Sequence, residues 1–172
     1  MRDTFILIGI AIVGLAVAGA FLLFGLGQKR AVAPTTPARS DVSLQTPPKV
    51  LAQGTTAPID TRVDYLIQSN DKLHQLWSLI YGTTAPAIPT VNFSKYDVAA
   101  VFAGVQPTTG YSISVFGVKT TPKKEVAVIT ITRPGPACAV TKKHTSPYAI
   151  VLIPSSPLPL THTDVIKTNF CK

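Results

Sequence analysis

Between Phe5 and Leu26 the chain runs 22 residues without a charge, built from Ile, Leu, Val, Ala, Phe and Gly. A helix of that length spans ~33 Å at 1.5 Å per residue, enough to cross a hydrocarbon layer of ~30 Å. A cleaved secretory signal would carry a shorter apolar region of roughly 7–15 residues. Ala31-Val32-Ala33 has the small residues of a cleavage site, but Pro34 follows it directly. The length of the run predicts an uncleaved N-terminal anchor over residues 1–27, with residues 5–26 as the transmembrane helix. Lys29 and Arg30, just after the run, argue for a cytoplasmic C-terminal side. The paired cysteines and the Thr/Pro-rich stretch beyond argue the other way, and long segments translocate largely regardless of a few flanking charges. The expectation is a single-pass cell-membrane protein with its C-terminal domain outside the cytoplasm.

Residues 28–60 contain Pro34, Pro37, Pro47, Pro48 and Pro58 among Thr and Ala, with no apolar periodicity. Such a composition buries too little surface to offset backbone ordering, so these residues read as a disordered linker. Composition changes at Thr61. Val63, Tyr65 and Ile67 alternate as in a strand, and Ser69 or Asn70 can cap a helix that runs to Tyr81 with Gly82 just past it. Leu73, Leu76, Trp77 and Ile80 form its apolar stripe, which marks Trp77 as a core anchor. Asp97–Ala103 is apolar on both faces, as a central strand is, and Tyr111–Val118 alternates apolar residues with Ser112 and Ser114. Thr121-Pro122-Lys123-Lys124 turns the chain into an antiparallel strand over Val126–Thr132. Tyr148–Ile153 is another strand, and Val165–Phe170 reads as a closing edge strand carrying Cys171. The predicted fold of residues 61–172 is α+β: a small antiparallel β-sheet head with one covering helix, preceded by the transmembrane helix and the disordered linker.

Chemistry is sparse in this head. It has no GxSxG elbow, no HExxH and no glycine-rich phosphate loop. His74, His144 and His162 lack ligand spacing and read as solvated side chains, so neither a metal nor a cofactor is expected. Cys138 beside His144 could serve as a thiol nucleophile and its base, but Cys171 is available to pair with Cys138 and no orienting third group is evident. An even cysteine count without CxxC spacing favours a Cys138–Cys171 disulfide in an oxidising compartment. From Thr61 onward there are eleven basic and five acidic residues, an excess that favours anionic surfaces in general. Lys119, Lys123, Lys124, Lys142 and Lys143 sit in two knots without interleaved aromatics, so nucleic acid is not an expected partner.

The most shaped stretch is Pro107-Thr108-Thr109-Gly110-Tyr111-Ser112-Ile113, in which Pro107 fixes its own φ and Gly110 supplies a positive one. Together with Val91-Asn92-Phe93, Val98–Gly104, Pro134-Gly135-Pro136-Ala137-Cys138-Ala139-Val140-Thr141 and Thr145-Ser146-Pro147-Tyr148, it resembles the PrcB C-terminal domain family over about Phe93 to Pro154. Thr109 stands where that family usually has a second glycine, and Lys142-Lys143-His144 replaces a blander stretch. The family's namesake is a lipid-anchored accessory subunit of a cell-surface, subtilisin-like protease complex. The resemblance implies a non-enzymatic, membrane-tethered, extracytoplasmic protein-interaction module, accessory to a surface protease, with Pro107, Thr108, Thr109, Gly110 and Tyr111 as its interaction-loop candidates. Pro107–Tyr111 and Arg133-Pro134 also resemble two of the three binding loops of chagasin-like cysteine-protease inhibitors, the alternative reading, although the middle glycine-rich loop is missing.

Overall fold

The computed structural model describes residues 47–171. The expected anchor and most of the expected linker lie outside the described residues, among which no helix is long and apolar enough to cross a membrane.

Helix α1, Asn70–Tyr81, forms where its sequence signals place it. The Ser69 hydroxyl accepts from the Lys72 N–H at 3.4 Å, Asp71 occupies the first turn, and Gly82 takes φ +58° to end it. Leu73, Leu76 and Trp77 are buried, and the Trp77 indole N–H donates to the Pro86 carbonyl at 2.9 Å.

Two sheets form, where the sequence reading expected one. The first contains β1 (Lys49–Gly54), β2 (Val63–Ile67), β3 (Tyr96–Phe102) and, after two further strands, β6 (Tyr148–Pro154), in the order β1-β6-β3-β2. Every neighbouring pair in it is antiparallel. The second contains β4 (Ser112–Thr120), β5 (Glu125–Pro134) and β7 (Leu160–Asn169), in the order β4-β5-β7. The β4–β5 hairpin is antiparallel, whereas β7 pairs with β5 in parallel.

Strands β3 and β6 are apolar on both faces because both faces are covered. Val98, Ala100, Phe102, Tyr148 and Ile150 point toward Leu73, Leu76 and Trp77 of α1. Ala99, Val101, Ala149, Val151 and Ile153 point the other way, against Ile113, Val115, Ala127 and Ile129 of the second sheet. The result is a three-layer arrangement: helix, four-stranded sheet, three-stranded sheet. The outward residues of β4, among them Ser112, Ser114 and Phe116, are exposed.

Two further expectations need correction. The disordered linker does not extend to Asp60: Lys49–Gly54 is a strand, and Ala57 and Ile59 are buried in the helix-side core. Pro47, Pro48 and Pro58 obscured it, yet prolines beside an edge strand remove no ladder bond, and β1 pairs on one side alone. The closing strand is also longer than Val165–Phe170, and it closes the second sheet instead of extending the first.

Candidate interaction site

The loop Pro107–Tyr111 carries the chain from one sheet to the other, since β3 and β4 belong to different sheets. It therefore does not turn two paired strands. It is stitched instead to residues Thr141–Ser146. The Gln106 N–H donates to the Thr145 carbonyl at 2.7 Å, and the Gln106 carbonyl accepts in return from the Thr145 N–H at 3.1 Å. The Thr145 hydroxyl donates to the Thr108 carbonyl at 3.0 Å. One residue on, the Thr109 N–H donates to the Thr141 carbonyl at 3.1 Å, and the Thr109 hydroxyl accepts from the Thr141 N–H at 2.9 Å. The Thr108 hydroxyl stays local, donating to the Thr109 carbonyl at 3.1 Å. Two loops more than 30 residues apart in sequence thus share one ladder of hydroxyl and backbone bonds.

Two glycines make the close approach feasible. Gly110 sits at φ +91°, and a Cβ there would stand 3.1 Å from the Pro134 ring and 3.3 Å from Val140. Gly104, at φ +72°, lets residues 60–62 cross beneath the end of β3; a Cβ would meet the Asp60 carbonyl oxygen at 2.8 Å, which is backbone and cannot swing aside. Pro107 and Gly110 are exposed, while Thr108, Thr109 and Tyr111 are half-buried.

The base of the stitched loops is a buried polar hub. Thr145 and Ser146 are only 7% and 5% exposed. The Ser146 hydroxyl donates to the Ile59 carbonyl at 2.6 Å, and its backbone exchanges bonds with Thr55 and Ala57. Tyr148 next door stacks on Phe102 with ring centroids 6.1 Å apart and donates its hydroxyl hydrogen to the Tyr81 oxygen at 2.9 Å. Burial, reinforced by that hydrogen bond, pushes the Tyr148 phenol well above its ordinary range. Cys138 and Cys171 are disulfide-bonded with 4.9 Å between their Cα atoms, which fastens the second loop to the end of β7. Both sulfurs are engaged, and there is no free cysteine among the described residues. His144 is exposed in the loop that follows.

A second polar cluster, absent from the sequence reading, lies between the open edges of the two sheets. Arg62, at the start of β2, forms a bidentate pair with Asp164 of β7 at 2.7 and 3.0 Å. The same guanidinium also bonds both oxygens of Asp64 and the Phe102 carbonyl. His162 Nδ1 lies 2.9 Å from the second Asp64 oxygen, so this histidine has a partner and is only half solvated. Arg62, Asp64 and His162 line a cavity of about 380 Å³ that Ala99, Ala127 and Ile129 complete on the apolar side. Burial would lower the Arg62 value, but hydrogen bonds to Asp164 and Asp64 outweigh it and raise it further. The Arg62 hydrogen bond in turn holds the Asp164 carboxyl below its usual range. Because the guanidinium bonds both carboxylates, the cluster is a clasp between the sheets, and no three His, Cys, Asp or Glu side chains converge as a metal site among the described residues.

The structure therefore assembles the loop candidates and both cysteines at one end of the two-sheet domain, with Thr141, Thr145 and Ser146 as partners that sequence reasoning left unassigned. Their only signal was membership of the second motif. No curated protein and no solved structure matches the chain. Residues 98–154, about a third of the sequence, match the PrcB C-terminal family, and they run from β3 through both stitched loops to the end of β6.

Proposed function

We propose that the chain is a membrane-tethered interaction module, held outside the cytoplasm by residues 5–26 and serving as an accessory to a surface protease. The matched stretch is the observation that carries this reading. It contains no assembled nucleophile and base, and it is instead folded into a rigid, exposed pair of loops, the form that recognition of a protein surface requires. The match to the PrcB C-terminal family supports a module associated with a protease complex, as the resemblance read from the sequence implies. The Cys138–Cys171 bridge accords with an oxidising, extracytoplasmic setting. A free wedge of the inhibitor type is less well supported, because the Thr108 carbonyl is engaged by Thr145, and the Thr109 N–H and hydroxyl by Thr141.

Deleting the gene and measuring cell-surface proteolysis tests the accessory role: a fall, restored by the full chain, is expected, and unchanged proteolysis rejects it. Labelling intact cells with a membrane-impermeant thiol reagent tests location. Labelling of Cys138 and Cys171 after mild reduction alone is expected. Labelling that appears only once the cells are lysed places the domain in the cytoplasm.

A further inference from the structure

Segments 105–111, 133–144 and 165–171 meet where β3, β5 and β7 finish and β4 and β6 begin. They hold Arg133, Lys142 and Lys143 and no Asp or Glu; Lys167 is in the same segments, but its ammonium leans over the Phe116 ring of β4, 5.8 Å from the centroid. Asp60 reaches this end through its carbonyl, which accepts from the Val105 N–H at 3.0 Å. Among these cations stand exposed apolar side chains: Val105, Val140, Ile166 and, at 74% exposure, Phe170. The backbone beneath is fixed by the Thr109–Thr141 and Thr108–Thr145 bonds, by the Gly135 N–H donating to the Asn169 carbonyl at 2.8 Å, and by the disulfide.

We infer that this cationic, apolar-tipped end is the docking surface for an acidic, apolar-dotted patch on a partner protein. Charge complementarity names the sign of the partner, and exposed Phe170 and Val140 supply the water-excluding contacts that lysines alone cannot. A pre-ordered backbone removes much of the ordering cost of association. A protein is favoured over a lipid surface because the chain joins the sheet at the other end, where Lys49 pairs with Leu152. A tethered head thus presents this end away from its point of attachment. That last step rests on the membrane-tethered reading proposed above.

The far end supplies a matched control, since Lys123 and Lys124 sit in the β4–β5 turn there. Full-length protein in a zwitterionic detergent is titrated with a fluorescent glutamate–leucine copolymer, with poly-glutamate as reference. The copolymer binds more tightly than poly-glutamate, and added salt weakens both. K142E/K143E weakens binding roughly tenfold, whereas K123E/K124E, the same change in net charge, alters it by less than about twofold. Phe170→Ser removes the advantage of the copolymer. Equal losses from the two lysine pairs overturn the proposal, because net charge alone then explains binding. So does a preference for phosphatidylglycerol over phosphatidylcholine vesicles that K142E/K143E abolishes, without copolymer binding, which assigns this end to lipid. The two readings fail separately: if K142E/K143E protein still restores proteolysis to a deletion strain, the docking surface is wrong and the accessory role stands.

Discussion

The two faces of β3 and β6 are built to different rules. On the helix side, Phe102, Tyr148, Leu73 and Trp77 are large, and few of them fill the gap between a sheet and a cylinder. On the inter-sheet side there is no aromatic ring: Ile113, Ile129 and Ile153 pack among the smaller Ala99, Val101, Ala127, Ala149 and Val151. The helix face closes with a tyrosine pair, Tyr148 and Tyr81; the inter-sheet face closes with an ion-pair clasp and keeps a cavity beside it. A single pair of strands therefore supports one core that depends on shape and another whose open edge depends on charge.

That contrast orders the expected effects of substitution. Phe102→Ala should be the most damaging, at about 3–5 kcal/mol in denaturant unfolding, because a fully buried ring leaves a cavity that the helix cannot collapse into. If Val101→Ala on the opposite face costs as much, the distinction between the faces breaks down; about 1–2.5 kcal/mol is expected for the smaller side chain. Arg62→Met should follow at roughly 1–3 kcal/mol near neutral pH, discounted because the pair is partly exposed. A carboxyl held low in the folded state, as Asp164 is, stabilises above its unfolded value and loses that contribution as pH falls through its folded one. The wild-type advantage over Arg62→Met should accordingly shrink below about pH 4, and an advantage that persists undiminished at lower pH would remove the charge-based account of that edge.

Tyr148→Phe should have a modest effect at neutral pH, about 0.5–1.5 kcal/mol for one hydrogen bond. Its signature lies in alkali. With the phenol raised in the folded state, wild-type stability is intact below the unfolded value near pH 10 and falls above it, so the variant should overtake the wild type as pH climbs. Smallest of all, Thr108→Ala should change stability by less than about 0.5 kcal/mol, because that hydroxyl bonds only its neighbour's carbonyl. Thr109→Ala, which removes the acceptor of the Thr141 N–H, should cost more when the two variants are compared by denaturant unfolding.

Local signals made part of this molecule legible. Ser69, Asp71 and Gly82 mark the helix within a residue at each end, and alternation or continuous apolar runs locate β2 through β6, because all of these depend on near neighbours along the chain. Strand order is a different matter. Whether β7 joins β5 in parallel or extends the other sheet depends on partners far away in sequence, and Thr161, His162 and Thr163 carry no mark of either. β1 was masked by flanking prolines that an edge position tolerates. At the candidate site, the residue types in the Pro107–Tyr111 loop were readable, but their partners were not. The Thr109–Thr141 bond spans 32 positions, and the Asp64–His162 contact joins strands of different sheets. Hydroxyls that appear to be ordinary turn residues in sequence turn out to be the stitches.

The disulfide also sets a rate. Strand β7 lies at the edge of its sheet, and its last pairing is Asn169 with Pro134. Cys171 lies two residues beyond that pair and Cys138 four residues beyond it on the other strand, so the bridge closes a short ring around the end of the ladder. If β7 frays, it cannot drift off to sample other edges. Short-loop closure, on the order of 10–100 ns for about ten residues, sets the fastest time on which its terminal pairs can meet again. The end of the β5 ladder therefore keeps its own β7 close at hand, in competition with any neighbouring chain for the edge that fraying opens.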